Sequence, residues 1–191
     1  MVIYWCDIQS LLCDPERFTR WCEKNNLSPD EFLRPDDAMR HIAGQRLRQL
    51  AQETLAPRFI SISHSGNLVL CACSQQRIGI DGEELAPAPD IPDGFFTSEE
   101  RRWIERQSDP TLAFFRLWTR KECYIKAYCR ILADMMDIPS LVQNGELVPH
   151  IGALNMRDVA ILPHQYCVSV AAEEACEAEL ICIDAEAIFC R

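Results

Sequence analysis

Residues 67–74 (Asn-Leu-Val-Leu-Cys-Ala-Cys-Ser) are apolar on both faces of any strand they could form. Strand side chains alternate between two faces, so this segment must be buried on both. The flanking segments also read as strands. Residues 59–63 alternate apolar and polar, as a half-buried strand does, and residues 77–83 form a third strand. Residues 2–8 predict another strand. Helices are predicted over 15–25, over 36–52 (entered through Arg34-Pro35-Asp36) and from the capping-box pattern Thr97-Ser98-Glu99-Glu100 to about Gln107. A further helix over 111–130 carries Phe114, Leu117, Trp118, Ile125 and Tyr128 along one side. Strands are expected near 146–150, 157–162, 165–171 and 179–183, and the Pro-rich stretch 86–94 reads as a loop. Helices and strands mix without strict alternation, which points to an α+β fold.

The chain of 191 residues is long enough for one large domain or two small ones. No apolar run approaches the roughly 18–20 residues that cross a bilayer. The start, Met1-Val2-Ile3-Tyr4-Trp5-Cys6-Asp7, lacks the pattern of a signal peptide, so the expectation is a cytoplasmic protein with no membrane partner. The 11 cysteines are odd in number, contain no C-x-x-C pair, and sit largely in apolar runs; they read as packing thiols. A net charge of -10 argues against nucleic acid as a partner. Within that acidic chain, Arg116, Arg120, Lys121, Lys126 and Arg130 crowd one segment with a single acid, Glu122. Arg40, Arg46 and Arg48 lie in a segment without acids. Such patches suit phosphate or an acidic partner, and equally a solvated helix face.

Three short motifs carry chemistry. In Ile78-Gly79-Ile80-Asp81-Gly82-Glu83, the isoleucines share one strand face while Gly79, Asp81 and Glu83 share the other. Two carboxylates so placed can hold a hard cation such as magnesium, or simply end an exposed strand. On the helix Phe115 to Lys126, the residues Trp118, Glu122 and Lys126 line one stripe at i, i+4, i+8. Glu122 can complete a three-carboxylate metal site and Lys126 can meet a phosphate; the plainer reading is a surface Glu–Lys pair. In Ile60-Ser61-Ile62-Ser63-His64-Ser65-Gly66, hydroxyls and turn N–H groups can hold phosphate. His64 can donate to a phosphate oxygen, or be a core histidine if the strand continues.

Taken in this order, the three motifs resemble those of the phosphopantetheinyl transferases of the surfactin-synthetase-activating type. That family has a Ser-His-Ser turn, a Gly-x-Asp-x-Glu strand and a Trp-x-x-Lys-Glu-x-x-x-Lys helix. Asp37-Ala38-Met39-Arg40 also resembles the family's upstream arginine helix. The resemblance implies two similar α+β halves related by a pseudo-twofold, here 1–76 and 77–191, with coenzyme A between them. It implies a monomer that moves phosphopantetheine from coenzyme A to a serine of an apo acyl or peptidyl carrier protein. Asp81, Glu83 and Glu122 would hold Mg2+, with Glu122, Lys126 and Asp81 as the catalytic set. Arg40, Ser63, His64, Lys121, Lys126 and Arg58 would contact coenzyme A, Arg40 at its 3'-phosphate. Rival classes on the same residues are a magnesium phosphodiesterase and a non-catalytic binding module. The sequence departs from the family at Gly82, where an apolar residue is usual, and at Leu55-Ala56-Pro57-Arg58, which replaces a Gly-Lys-Pro segment. Arg116, Arg120 and Arg130 are expected to face outward towards an acidic carrier.

Overall fold

The computed structural model describes residues 1–24, 34–87, 94–175 and 177–189. Strand β1 (Val2–Asp7) is followed by helices α1 (Gln9–Leu12), α2 (Pro15–Lys24) and α3 (Pro35–Leu55). Strands β2 (Phe59–Ser65), β3 (Leu68–Ser74) and β4 (Ile78–Glu84) come next, then helices α4 (Ser98–Arg106) and α5 (Pro110–Ala127). After a 3-10 turn at Leu132–Asp137 come β5 (Val142–Gln143), β6 (Glu146–Leu147), β7 (His150–Ile151), β8 (Leu154–Asp158), β9 (Tyr166–Ala172), β10 (Glu179–Cys182) and α6 (Ala185–Phe189). The end of the helix expected to reach residue 25, and positions 88–93 of the expected loop, lie outside the described residues.

Two four-stranded sheets form, ordered β10-β1-β3-β2 and β4-β9-β8-β7. Both contain the same sequence of parts. A strand leads through a long helix to two more strands, and the last of these inserts beside the first: β1-α3-β2-β3 in one, β4-α5-β8-β9 in the other. The architecture is therefore α+β. The expected unit 77–191 does not close on itself, because β10 adds in parallel to β1 and α6 packs beside α3.

The layering explains the doubly apolar strand β3. One face, with Val69, Cys71 and Cys73, packs with Tyr4 and Cys6 of β1 and with Ile8 just after it, beneath Ala38, Met39, Ala43, Leu47 and Ala51 of α3. The other face, with Leu68, Leu70 and Ala72, meets Ile78 and Ile80 of β4 and Val168 and Val170 of β9. Helix α5 closes the far side of the second sheet through Cys123 and Ala127 against Leu154, Met156 and Ala171. The result is a helix–sheet–sheet–helix stack. Among the described cysteines, Cys6, Cys22, Cys71, Cys73, Cys123 and Cys167 are buried free thiols, while Cys13, Cys129 and Cys182 are exposed. No helix among the described residues is long and apolar enough to cross a membrane.

Local signals explain several boundaries. Thr97 and Glu100 form the reciprocal capping box that starts α4. Helix α5 stops at Ala127, short of the expected residue 130, because Cys129 turns left-handed at φ 51. The strand expected over 157–162 is β8, at Leu154–Asp158. Leu162 adopts φ 44 and Pro163 follows it, so Val159 and Ile161 enter the core as irregular chain. The strand expected over 146–150 divides into β6 and β7, and Asn144-Gly145, both at positive φ, turns β5 into β6.

Candidate active site

The site begins with the alternation of β4. Ile78 and Ile80 point into the layer between the sheets, which turns Asp81 to the opposite face, where it is buried beneath α5. Gly79 lets the helix come close. A Cβ at this position would stand 2.0 Å from the Cys123 carbonyl oxygen and 2.7 Å from the Ala127 nitrogen. That approach brings Lys126 within 2.6 Å of Asp81 Oδ1, and its ammonium also donates to Ser63 Oγ at 3.0 Å.

Strand β2 meets β4 along a seam of serine hydroxyls instead of a backbone ladder. The N–H groups of Ile80, Gly82 and Glu84 donate to Ser61, Ser63 and Ser65 Oγ at 3.0, 3.3 and 3.0 Å. Ser63 donates in turn to Asp81 Oδ1, and Ser65 to Glu83 Oε2, each at 2.7 Å. The sequence signal for this seam is the period-two run of hydroxyls at Ser61, Ser63 and Ser65, a pattern that the turn motif alone does not exhaust.

Electrostatics mark the carboxylates as a group. Burial, then the charge of Asp81, pushes Glu122 up to about 7, with Glu83 adding to the effect and Lys126 opposing it. Burial also raises Glu83, against hydrogen bonds from Ser65 and the Trp118 indole. Burial works against the Lys126 ammonium, but Asp81 outweighs it and the lysine is raised. Asp81 Oδ2 is buried and has no hydrogen-bond partner among the described residues. Three carboxylates thus face one ammonium, with a buried lone pair to spare. Hard oxygen donors in this number suit magnesium. Among the described residues, no three such side chains stand close enough to enclose an ion as they are arranged, and Lys126 is the cation nearest Asp81.

Other expected residues fall elsewhere. Lys121, expected at coenzyme A, is 1% exposed. It pairs with buried Glu100 at 2.9 Å and donates to the Phe95 carbonyl at 2.8 Å, so it tethers α5 to the start of α4. That pairing places its ammonium at the α4–α5 junction, while Lys126 is the lysine that meets Asp81. Arg58, also expected at coenzyme A, lies over the Phe59 ring just before β2, at the opposite end of that strand from Ser63 and His64. Arg120, expected to face outward, is buried and donates to Asp158 Oδ1 at 2.9 Å; Arg116 grips Oδ2 of the same carboxylate at 2.6 Å. Arg130 is exposed and lies over the Tyr124 and Tyr128 rings.

Arg40 and His64 come together beside the β2–β3 turn. Arg40 donates to the Gly66 carbonyl at 2.9 Å and to Asp37 at 2.7 Å. His64 is exposed on the face of β2 that carries Ile60 and Ile62, so it is not a core histidine. Desolvation, then the Arg40 guanidinium, holds its imidazole below the ordinary pKa. Trp118 stacks on Phe114 and touches Phe95 and Phe96, forming an aromatic wall beside Glu83.

Residues 77–170 match the family model described as the 4'-phosphopantetheinyl transferase superfamily. The chain is 41% identical over 70 residues to the 4'-phosphopantetheinyl transferase gsp of Aneurinibacillus migulanus, covering 35% of this chain and 30% of that protein. It is 33% identical over 118 residues to the 4'-phosphopantetheinyl transferase HetI of Nostoc, covering 59% and 50%. It is 39% identical over 92 residues to the 4'-phosphopantetheinyl transferase Sfp of Bacillus subtilis, covering 46% and 41%. The matched part spans between about a third and a half of the length of these relatives. The stretch from β4 to β9, which holds the carboxylates and the Lys126 helix, is the part that is similar to the 4'-phosphopantetheinyl transferase superfamily model.

Proposed function

We propose that the protein transfers the 4'-phosphopantetheine group of coenzyme A to a serine of an apo acyl or peptidyl carrier protein, releasing 3',5'-ADP. The observation that carries this reading is the unpartnered Oδ2 of Asp81 at the meeting of β4 and α5, with Glu83, Glu122 and Lys126 around it. Asp81, Glu83 and Glu122 would hold Mg2+, which when bound neutralises charge on the pyrophosphate oxygens. Lys126, kept inward by Asp81 and Ser63, lies where it can stabilise the departing 3',5'-ADP. Glu122 titrates near neutrality and is the candidate base, taking the proton of the carrier serine as its oxygen attacks the β-phosphorus. Arg40 and His64, side by side at the turn, are suited to the 3'-phosphate. A guanidinium can pair with it bidentately through donors beyond the two already used. Ser63 is committed to Asp81 and Lys126, which favours a role in holding those two over a grip on phosphate.

The shared β-α-β-β order of the two sheets supports two related halves about a pseudo-twofold, with the substrate at the β2–β4 seam. All these groups come from one chain, so a monomer suffices. The test is intact mass spectrometry of apo carriers incubated with coenzyme A, magnesium and the protein. A mass gain of one phosphopantetheine is expected, and its loss in Asp81→Ala and Glu122→Ala. Hydrolysis of coenzyme A with no modified carrier would overturn the transferase reading.

A further inference from the structure

The serine seam does two things that can be separated. At each of Ser61, Ser63 and Ser65, a backbone N–H of β4 donates to the hydroxyl oxygen. An amide nitrogen can only donate, so the hydroxyl proton is left free to point elsewhere. At Ser65 it goes to Glu83 Oε2 at 2.7 Å. At Ser61 the paired strand residue is Ile80, and among the described residues no carboxylate receives the proton. Two serines on one strand, four residues apart, thus make the same seam bond, but only one continues it to a carboxylate.

We propose that Ser65 is a positioning residue for Glu83. Its hydroxyl, oriented by the Glu84 N–H, turns the Glu83 carboxylate and fixes which oxygen remains free for a divalent cation. The inference rests on the metal reading given above. Glu83 lies near the open end of β4, where the strand passes from buried to exposed. A long carboxylate there has several rotamers, and losing that freedom on metal binding costs affinity. The Ser65 hydrogen bond removes the freedom in advance, and the Trp118 indole restrains the same carboxylate. The hydroxyl serves both ends of this arrangement at once, so the edge that joins β2 to β4 also sets the geometry of the site. A partner outside the ligand set that orients a ligating carboxylate is typically worth about 10–100-fold in metal affinity.

The test measures Mn2+ binding directly, as a magnesium substitute, by isothermal titration calorimetry on the full chain, with thermal melting of the metal-free protein alongside. Ser65→Ala should weaken Mn2+ binding at least about tenfold. Ser65→Thr, which keeps the hydroxyl on a strand-compatible side chain, should restore it to within a small factor. Ser61→Ala should lower the melting temperature by about 2–4 °C and leave Mn2+ affinity nearly as in the parent. Equal affinity in Ser65→Ala and the parent would overturn the role of Ser65 while leaving the metal site standing. Equal weakening by Ser61→Ala and Ser65→Ala would overturn it too, by showing that the seam acts only as scaffold. Absence of Mn2+ binding in the parent would overturn the metal reading itself, and this inference with it.

Discussion

Leu70 of β3 reaches across the layer between the sheets to fill the space beside Gly82: its Cδ1 lies 2.6 Å from where a Cβ on that glycine would stand. Val168 lies 3.3 Å from the same point. The glycine that departs from the family's usual apolar residue is therefore matched by a leucine on the facing strand. The two should behave as a coupled pair. Gly82→Val alone should overpack the layer and cost about 1–3 kcal/mol. Leu70→Ala alone should leave a cavity and cost about 2–5 kcal/mol. The double variant should be more stable than the sum predicts by at least about 1 kcal/mol in urea denaturation. Simple additivity would mean that the two side-chain volumes do not compete.

Gly79 differs from Gly82 in having backbone opposite it, which cannot swing aside. Gly79→Ala should push α5 away from β4 through the Cys123 carbonyl and the Ala127 nitrogen. Glu122 and Lys126 immediately precede those two residues, so both should move from Asp81. Transfer to a carrier should fall by at least about 100-fold, consistent with what a misplacement of about 1 Å costs. Steady-state kinetics with circular dichroism as a folding control would check this; near-normal turnover would mean the helix can settle elsewhere without consequence.

The Lys121–Glu100 pair is fully buried, and Glu100 also accepts from the Leu141 and Thr97 N–H groups. Lys121→Met should strand a buried carboxylate and cost about 3–5 kcal/mol. Glu100→Gln in the same chain should recover part of that loss, because the charge is gone. Neither change should alter the KM for coenzyme A measured on whatever fraction remains folded. A selective rise in that KM would return Lys121 to the phosphate.

Asp158 sets an acid-side limit on stability. Burial alone would raise its pKa, but Arg120 and Arg116 outweigh burial and hold the carboxyl below the ordinary carboxylate range. A group with a depressed folded pKa contributes stability above its unfolded pKa, and that contribution is lost as pH falls through the folded value. The parent should therefore be destabilised on acidification below about pH 4, where the unfolded carboxyl begins to take up its proton first. Asp158→Asn should be less stable at neutral pH and show a flatter decline below it. Parallel melting-temperature profiles for the two proteins would remove Asp158 from this role.

How far the sequence reveals this molecule depends on the range over which a residue's partner lies. The α4 capping box is legible because Thr97 and Glu100 are three positions apart. The burial of β3 on both faces and the turn of Asp81 away from Ile80 follow from alternation alone. Arg120 and Lys121 are misread because their partners, Asp158 and Glu100, belong to other elements, and a run of basic residues looks the same whether solvated or paired. The strand expected at residue 157 begins at Leu154, since Val159 and Ile161 are apolar for a buried loop rather than a strand. The seam is a similar case. Its hydroxyls are visible in the sequence at Ser61, Ser63 and Ser65, but the amides they serve lie about twenty residues further along the chain.

The parallel pairing of β1 with β10 bears on the order in which the protein can be built. Val2 lies opposite Glu179 and Trp5 opposite Cys182, so β1 takes one of its two neighbours from a strand far along the chain. While the ribosome works from residue 7 to residue 179, β1 can pair with β3 but keeps an open edge. Open edges of nascent strands invite pairing with other chains. The sheet that contains β1 must therefore wait, partly finished, for β10, and that pairing is a contact of very long sequence separation, the kind that folds slowly.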